Sequence, residues 1–131
     1  MVAATFVSAV LIQTIAFTSV ARGTSSQIDE ARQVVVRSAE DWQTLWKTHS
    51  SQPVPKVDFS TSIVVGVFLG SRPTAGYEVR ITAVRRTPGG AVVEYSETKP
   101  DPKRMVAQIL TSPFALVAIP KDIQTIEFKR N

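Results

Sequence analysis

The stretch SIVVGVFLGSRPTAGYEVRITAVRR, residues 62–86, decides how this chain folds. Residues 62–69 are almost continuously apolar, which is typical of a central strand that is buried on both faces. Residues 76–86 alternate between apolar and polar side chains and predict a strand with one buried face. The apolar face is predicted to carry Tyr77, Val79, Ile81 and Ala83. Residues 71–76 join the two strands by a turn that is longer than a minimal hairpin needs.

Short runs of the same kind recur along the chain, separated by turn signals. The further strand candidates are residues 12–20, 33–37, 91–97, 105–111, 114–119 and 124–129. The sequence TPGGA at residues 87–91 predicts a tight turn, and therefore a hairpin between strands 76–86 and 91–97. With about seven or eight strands, the pattern predicts a mainly β fold, a single-domain sandwich or partly open barrel.

One helix, at about residues 39–49, is predicted to interrupt the strands. Ser38 is a suitable N-cap residue. Trp42, Leu45 and Trp46 follow at the spacing of one helix face, which indicates a helix packed on the sheet. We expect the helix to end near His49, because serines and prolines follow.

Length and composition favour one domain, residues 12–131, preceded by a signal remnant or N-terminal extension at residues 1–11. The first residues are apolar, and Ser19, Val20 and Ala21 would suit signal cleavage. No Lys or Arg precedes this apolar run. Polar residues interrupt it, so a membrane-spanning helix is not expected.

The sequence contains no signature of an enzyme, so we expect a protein without catalytic residues. It has no Cys and one His, which leaves no thiol nucleophile and no metal site rich in these ligands. His49 is expected to cap helix carbonyls or to face water. No cofactor or metal is expected. The net charge of +4 is spread over short basic pairs, which is typical of a solvated surface and not of nucleic-acid binding.

Two signature segments are more specific than these patterns: FLGSRPTAGY, residues 68–77, and TSPFALVAIP, residues 111–120. Together with the sequence around them, over about residues 15–120, they resemble the family named for the C-terminal domain of the PrcB protease-complex subunit. The resemblance implies a bacterial protein outside the cytoplasm: secreted, periplasmic or in the cell envelope. The namesake of the family is a non-catalytic partner of a secreted protease, so we expect a non-catalytic partner of a protease or envelope complex.

The sequence RPTAGY, residues 72–77, is also similar to the N-P-T-T-G-Y loop of chagasin-like inhibitors of cysteine proteases, which are immunoglobulin-like sandwiches. The matching positions are Pro73, Thr74, Gly76 and Tyr77. Arg72 stands in place of Asn and Ala75 in place of the second Thr. Pro113 and Phe114 are similar to a second inhibitor loop, in which Ser112 replaces an Arg. No convincing Gly-rich third loop is present.

We therefore predict that loop 72–77 and the loop at residues 111–114 lie at the same end of the sheet and bind a protein partner. The predicted contact residues are Arg72, Pro73, Thr74, Ala75, Gly76, Tyr77, Ser112, Pro113 and Phe114. Arg72 is expected to be an exposed charge at the tip, and Tyr77 and Phe114 to be aromatic anchors. In the plainer alternative, Pro and Gly only shape a turn and Tyr77 packs in the core.

Three hypotheses for function follow from these residues. The first is a non-enzymatic binding module outside the cytoplasm whose partner is a protein, such as a protease. The second is a stand-alone protease inhibitor that uses loop 72–77. The third is an envelope domain that binds a small ligand, which would require a cavity.

Overall fold

A computed structural model describes residues 13–131; the predicted extension at residues 1–11, together with residue 12, lies outside them. Seven strands and one helix follow each other along the described chain. They are β1 (Thr18–Gly23), β2 (Arg32–Val36), α1 (Ala39–His49), β3 (Ser62–Phe68), β4 (Glu78–Thr87), β5 (Gly90–Thr98), β6 (Phe114–Pro120) and β7 (Thr125–Arg130). In residues 13–131, no helix is long and apolar enough to cross a membrane.

The strands form two sheets, which confirms the predicted mainly β, sandwich-like fold. The first sheet has the order β1-β6-β3-β2, and all its neighbours are antiparallel. The second has the order β4-β5-β7, in which β4 and β5 form the predicted hairpin and β7 runs parallel to β5. Neither sheet closes into a barrel.

β3 is central and buried on both faces, as its continuous apolar sequence predicts. Ile63, Val65 and Val67 belong to the core between the two sheets. Val64 and Phe68 belong to a second core, which includes the tryptophans of the helix. Successive residues of a strand point to opposite faces, so one apolar strand can supply both cores. The domain therefore has three layers: helix, first sheet and second sheet.

The helix has the predicted limits and packing. The Ser38 hydroxyl oxygen accepts a hydrogen bond from the backbone N–H of Asp41 at 3.2 Å. Trp42 and Trp46 are buried, and each indole N–H donates to a backbone carbonyl of the following loop, at 2.9 Å to Pro55 and 2.7 Å to Gln52. The indoles thus fix the helix to the sheet and to the loop that follows it.

Three details differ from the sequence-based expectation. The simple alternation of β4 predicts that Ala83 is buried after Val79 and Ile81. A register shift between Ile81 and Ala83 changes which side chains face the core, and Val84 is buried in place of Ala83. Of the strand predicted at residues 12–20, β1 takes in only the part from Thr18 onward, and residues 13–17 contribute an isolated bridge between Thr14 and Arg85; residue 12 lies outside the described residues. Residues 105–110, predicted to be part of a strand, do not pair with either sheet, and Thr111 forms only an isolated bridge to Arg72.

Candidate functional site

Two loops run side by side at one end of the domain, as the sequence predicts. The backbone N–H of Arg72 donates to the Thr111 carbonyl at 2.7 Å, and the N–H of Thr111 donates back at 2.9 Å. Further along, the N–H of Ala75 donates to the carbonyl of Ala107 at 3.0 Å. The Thr111 hydroxyl donates to the Thr74 carbonyl at 2.9 Å. We call residues 71–77 and 105–113 the paired loops.

The second of the paired loops exposes large apolar side chains. Met105 is fully exposed at 101%, Leu110 is 80% exposed and Ile109 is 59% exposed. We call these three side chains the apolar ridge. Single exposed apolar residues are ordinary on a protein surface, but three within six residues of a segment outside both sheets make this segment a candidate contact surface. Sequence reasoning missed them because the same residues satisfy the pattern of a buried strand.

Arg72 does not point outward from the tip, and this expectation was wrong. Its Nε and Nη2 donate to the two carboxylate oxygens of Glu97 at 2.8 and 3.1 Å. Its Nη1 donates to the carbonyls of Leu69 and Ser71 at 3.0 and 3.1 Å. The reason is Glu97, whose side chain is only 3% exposed at the end of the inward face of β5. A nearly buried carboxylate needs a cation beside it.

The ion pair between Arg72 and Glu97 shifts the pKa values of both side chains. Hydrogen bonds from Arg72, together with the charges of Arg72 and Arg130, hold the pKa of Glu97 below its usual value although burial opposes this. The hydrogen bond with Glu97 raises the pKa of Arg72. The guanidinium carbon also lies 6.0 Å from the ring centre of Tyr77, which is half-buried. Arg72 therefore fixes loop 71–77 to the second sheet.

Ser112, Pro113 and Phe114 are buried, so they do not offer a surface to a partner in this structure. Phe114 lies in the helix-side core, with its ring centre 4.2 Å from that of His49. Among the predicted contact residues of the first loop, Pro73 and Gly76 are exposed, while Thr74, Ala75 and Tyr77 are half-buried. The accessible part of the paired loops is therefore the turn at Pro73–Gly76 together with the apolar ridge.

Gly76 adopts the conformation that its place in the turn predicts. Its φ is 94°, in the left-handed region that favours glycine. A Cβ atom at this position would lie 2.6 Å from the Cβ of Pro100, closer than packed carbon atoms approach. The tight approach of Pro100 and the hydrogen bonds to residues 107 and 111 give the turn one well-defined shape.

His49 is buried rather than exposed, which corrects the expectation that it faces water or only caps carbonyls. Its Nδ1 lies 2.7 Å from the hydroxyl oxygen of Ser26, which also accepts a hydrogen bond from the N–H of Ile28 at 3.0 Å. Trp46, Phe68 and Phe114 surround the ring. This arrangement joins the end of the helix to residues 26–28.

The described residues also carry little that could bind a metal. In residues 13–131, no group of three or more His, Cys, Asp or Glu side chains is placed to hold a metal ion.

The paired loops lie within the part of the chain that is similar to a known protein family. A family model described as PrcB C-terminal matches residues 63–120, which include all of β3 except Ser62, the paired loops and β6. No curated protein and no solved structure matches the chain significantly. The match contains both signature segments from Phe68 to Tyr77 and from Thr111 to Pro120. The resemblance to the PrcB C-terminal family, predicted from the sequence, is thereby confirmed, and residues 63–120 carry the signature of that domain.

Proposed function

We propose that this protein is a non-enzymatic binding module outside the cytoplasm, which recognises a protein partner through the turn at Pro73–Gly76 and the apolar ridge. The exposure of Met105, Ile109 and Leu110 beside a well-fixed turn is the observation that carries the proposal. The family match is consistent with a domain associated with a protease complex. A protease or another component of an envelope complex is the partner that we propose.

The energetics favour a partner that covers the ridge. Burying a large aliphatic or Met side chain stabilises a complex by about 1.5–3 kcal/mol. Three such side chains in one segment could therefore supply much of the affinity of a moderate protein interface, after the cost of association is subtracted. The net charge of +4 opposes association between copies of the chain through this exposed apolar surface.

The paired loops are already ordered before any partner binds. Four hydrogen bonds between them fix their backbones. Pro73 restricts φ within the turn, and the fork of Arg72 on Glu97 fixes the end of the same loop. A backbone with this degree of order loses little conformational entropy on binding, and the cost that remains is the ordering of the ridge side chains.

The proposal is tested by replacing the ridge and comparing what the domain captures. The measurement is affinity capture from an extract of the source organism. We expect the triple variant Met105→Ser, Ile109→Ser, Leu110→Ser to keep the melting temperature of the parent. It should no longer capture the proteins that the parent captures. The matched control is Val35→Ser with Val54→Ser, which removes apolar side chains that are exposed elsewhere. Equal retention by the parent and the ridge variant would contradict the proposal.

A stand-alone protease inhibitor is the second candidate. It is favoured by the exposed Pro73 and Gly76 in a turn that is similar to an inhibitor loop. Inhibition of a papain-like protease by the parent, and its loss when Pro73 and Thr74 are changed to Gly and Ser, would support this candidate over the first. An absence of inhibition at high protein concentration would remove it.

A further inference from the structure

A cleft opens on the side of the sandwich where the edge strand β2 of the first sheet faces the edge strand β7 of the second. Its volume is about 410 Å³, which is in the range of small-molecule sites. Val67 and Leu69 line it from β3 and the residue after it. Tyr95 lines it from β5, and its hydroxyl oxygen accepts a hydrogen bond from the side-chain amide of Gln33 at 3.2 Å.

Three arginines line the same cleft: Arg32, Arg72 and Arg130. Glu97 pairs with both Arg72 and Arg130, and Glu30 pairs with Arg32. The three guanidinium groups thus meet two carboxylates, which leaves one positive charge in excess. A ligand with a single negative charge would balance it.

Two of these arginines have hydrogen-bond donors to spare. A guanidinium group carries five N–H donors in a fixed fork. Within residues 13–131, the Arg130 side chain donates only to Glu97, and the Arg32 side chain donates only to Glu30. The pair of Arg32 and Glu30 is exposed on the surface, and such pairs contribute little to stability. A bound anion can therefore compete for Arg32 without disturbing the core.

We infer that this cleft is a binding site for a small monocarboxylate with an apolar body. Guanidinium forks match the planar carboxylate in two parallel hydrogen bonds, and the structure already shows this match between Arg72 and Glu97. The apolar body would lie over Leu69 and Tyr95, each of which exposes only a small part of its side chain to the cleft. A phosphate dianion would bring a second negative charge close to Glu97, so it is disfavoured by repulsion.

This site is separate from the apolar ridge, although Arg72 belongs to both the cleft and the loop. It does not depend on the proposed protein partner. Loss of ligand binding in the cleft and loss of partner capture by the ridge can therefore be observed independently.

The probe is benzoate, titrated into the full chain at constant ionic strength and followed by backbone amide NMR shifts. We expect saturable shifts at residues of the cleft, and no saturation with benzamide, which has the same shape without the charge. Inorganic phosphate is the second arm, and we expect it to bind more weakly than benzoate. Equal response to benzamide, or tighter binding of phosphate, would overturn the monocarboxylate site.

Variants test which arginines take part. Arg130→Gln and Arg32→Gln should each weaken benzoate binding by about tenfold, the loss expected for one charge-assisted contact. Arg80→Gln removes the same charge from an exposed position outside the cleft and should change the affinity less than about twofold, because screening by salt is strong there. Arg32→Gln disturbs only an exposed pair, so it tests the site even if Arg130→Gln lowers stability. Equal effects of all three substitutions would show non-specific attraction by net charge and would overturn the proposal.

Discussion

His49 is a titratable residue whose side chain is almost completely buried. Three aromatic rings enclose the imidazole, and Ser26 provides its one side-chain hydrogen-bond partner within residues 13–131. Burial lowers the pKa of His49, because the charged form would lose its solvation in this environment. In the unfolded chain His49 binds a proton more readily than in the folded chain. Protonation of His49 therefore favours unfolding.

We expect the free energy of unfolding to fall as the pH drops below about 6.5, the ordinary pKa of histidine, and to keep falling until the lower pKa of the folded state is reached. The slope can reach about 1.4 kcal/mol per pH unit. Urea unfolding at pH 7.5, 6.5 and 5.5 measures it. The pKa values of Glu97 and Asp58 are lowered from ordinary carboxylate values, so both acids lose their stabilising effect only at more acidic pH.

The control for this pH dependence is His49→Gln, which cannot gain the charge. We expect the variant to be less stable at pH 7.5, because the ring packing is lost, but to show a flatter dependence between pH 7.5 and 5.5. A slope equal to that of the parent would show that His49 is not the group responsible.

At the scale of elements, the strongest sequence patterns predicted the structure well. The spacing of Trp42, Leu45 and Trp46 predicted the helix and its buried face, and the apolar run 62–69 predicted the two-sided strand β3. Residues 105–110 show why the rest could not be predicted. Their apolar character is compatible with a strand, but a strand also requires a neighbour, and hydrogen bonds of Ala107 and Thr111 fix this segment to a turn instead.

In the candidate site, too, local features could be predicted from the sequence and contacts between distant residues could not. Pro73 and Gly76 predicted the turn because their backbone preferences are local. The inward position of Arg72 depends on Glu97, which is 25 residues away in the sequence, and no local pattern connects the two. The burial of Ser112 and Pro113 likewise results from long-range packing.

Substitutions in the helix test whether it packs on the first sheet through its buried tryptophans. Trp42→Ala should lower the free energy of unfolding by about 3–5 kcal/mol, because a buried indole and its hydrogen bond to Pro55 are both lost. Gln43→Ala, at an exposed position of the same helix, should change it by less than about 0.5 kcal/mol. Urea unfolding measures both, and similar midpoints for the two variants would show that the helix is not packed as described.

At the scale of the whole molecule, the two sheets are joined by polar contacts as well as by the apolar core. Arg72 follows β3 of the first sheet and binds Glu97 in β5 of the second. Arg37, at the end of β2, donates to the carbonyls of Ile123 and Gln124 beside β7, at 2.9 and 2.6 Å. Arginine side chains therefore connect the sheets at both ends of the open side of the sandwich.

Removal of one such connection should lower the stability of the entire domain. We expect Arg72→Ala to lower the free energy of unfolding by about 1–3 kcal/mol, because Glu97 keeps only its contact with Arg130. Arg72→Lys should restore part of the loss, since it keeps the charge without the two-pronged geometry. Arg80→Ala, at an exposed position, is the control. An unchanged melting temperature for Arg72→Ala would show that the loop and the second sheet are not coupled.

The parallel pairing of β7 with β5 has a consequence for the order in which the domain folds. Between these two strands the chain crosses to the first sheet and forms β6, which lies between β1 and β3. β7 can complete its sheet only after this crossing has closed a long loop, and contacts between residues far apart in sequence slow folding. The β4–β5 hairpin needs only a short turn. Folding is therefore expected to start with local pairs and to end when β7 docks, so that until this last step the edge of β5 is open to pairing with other chains.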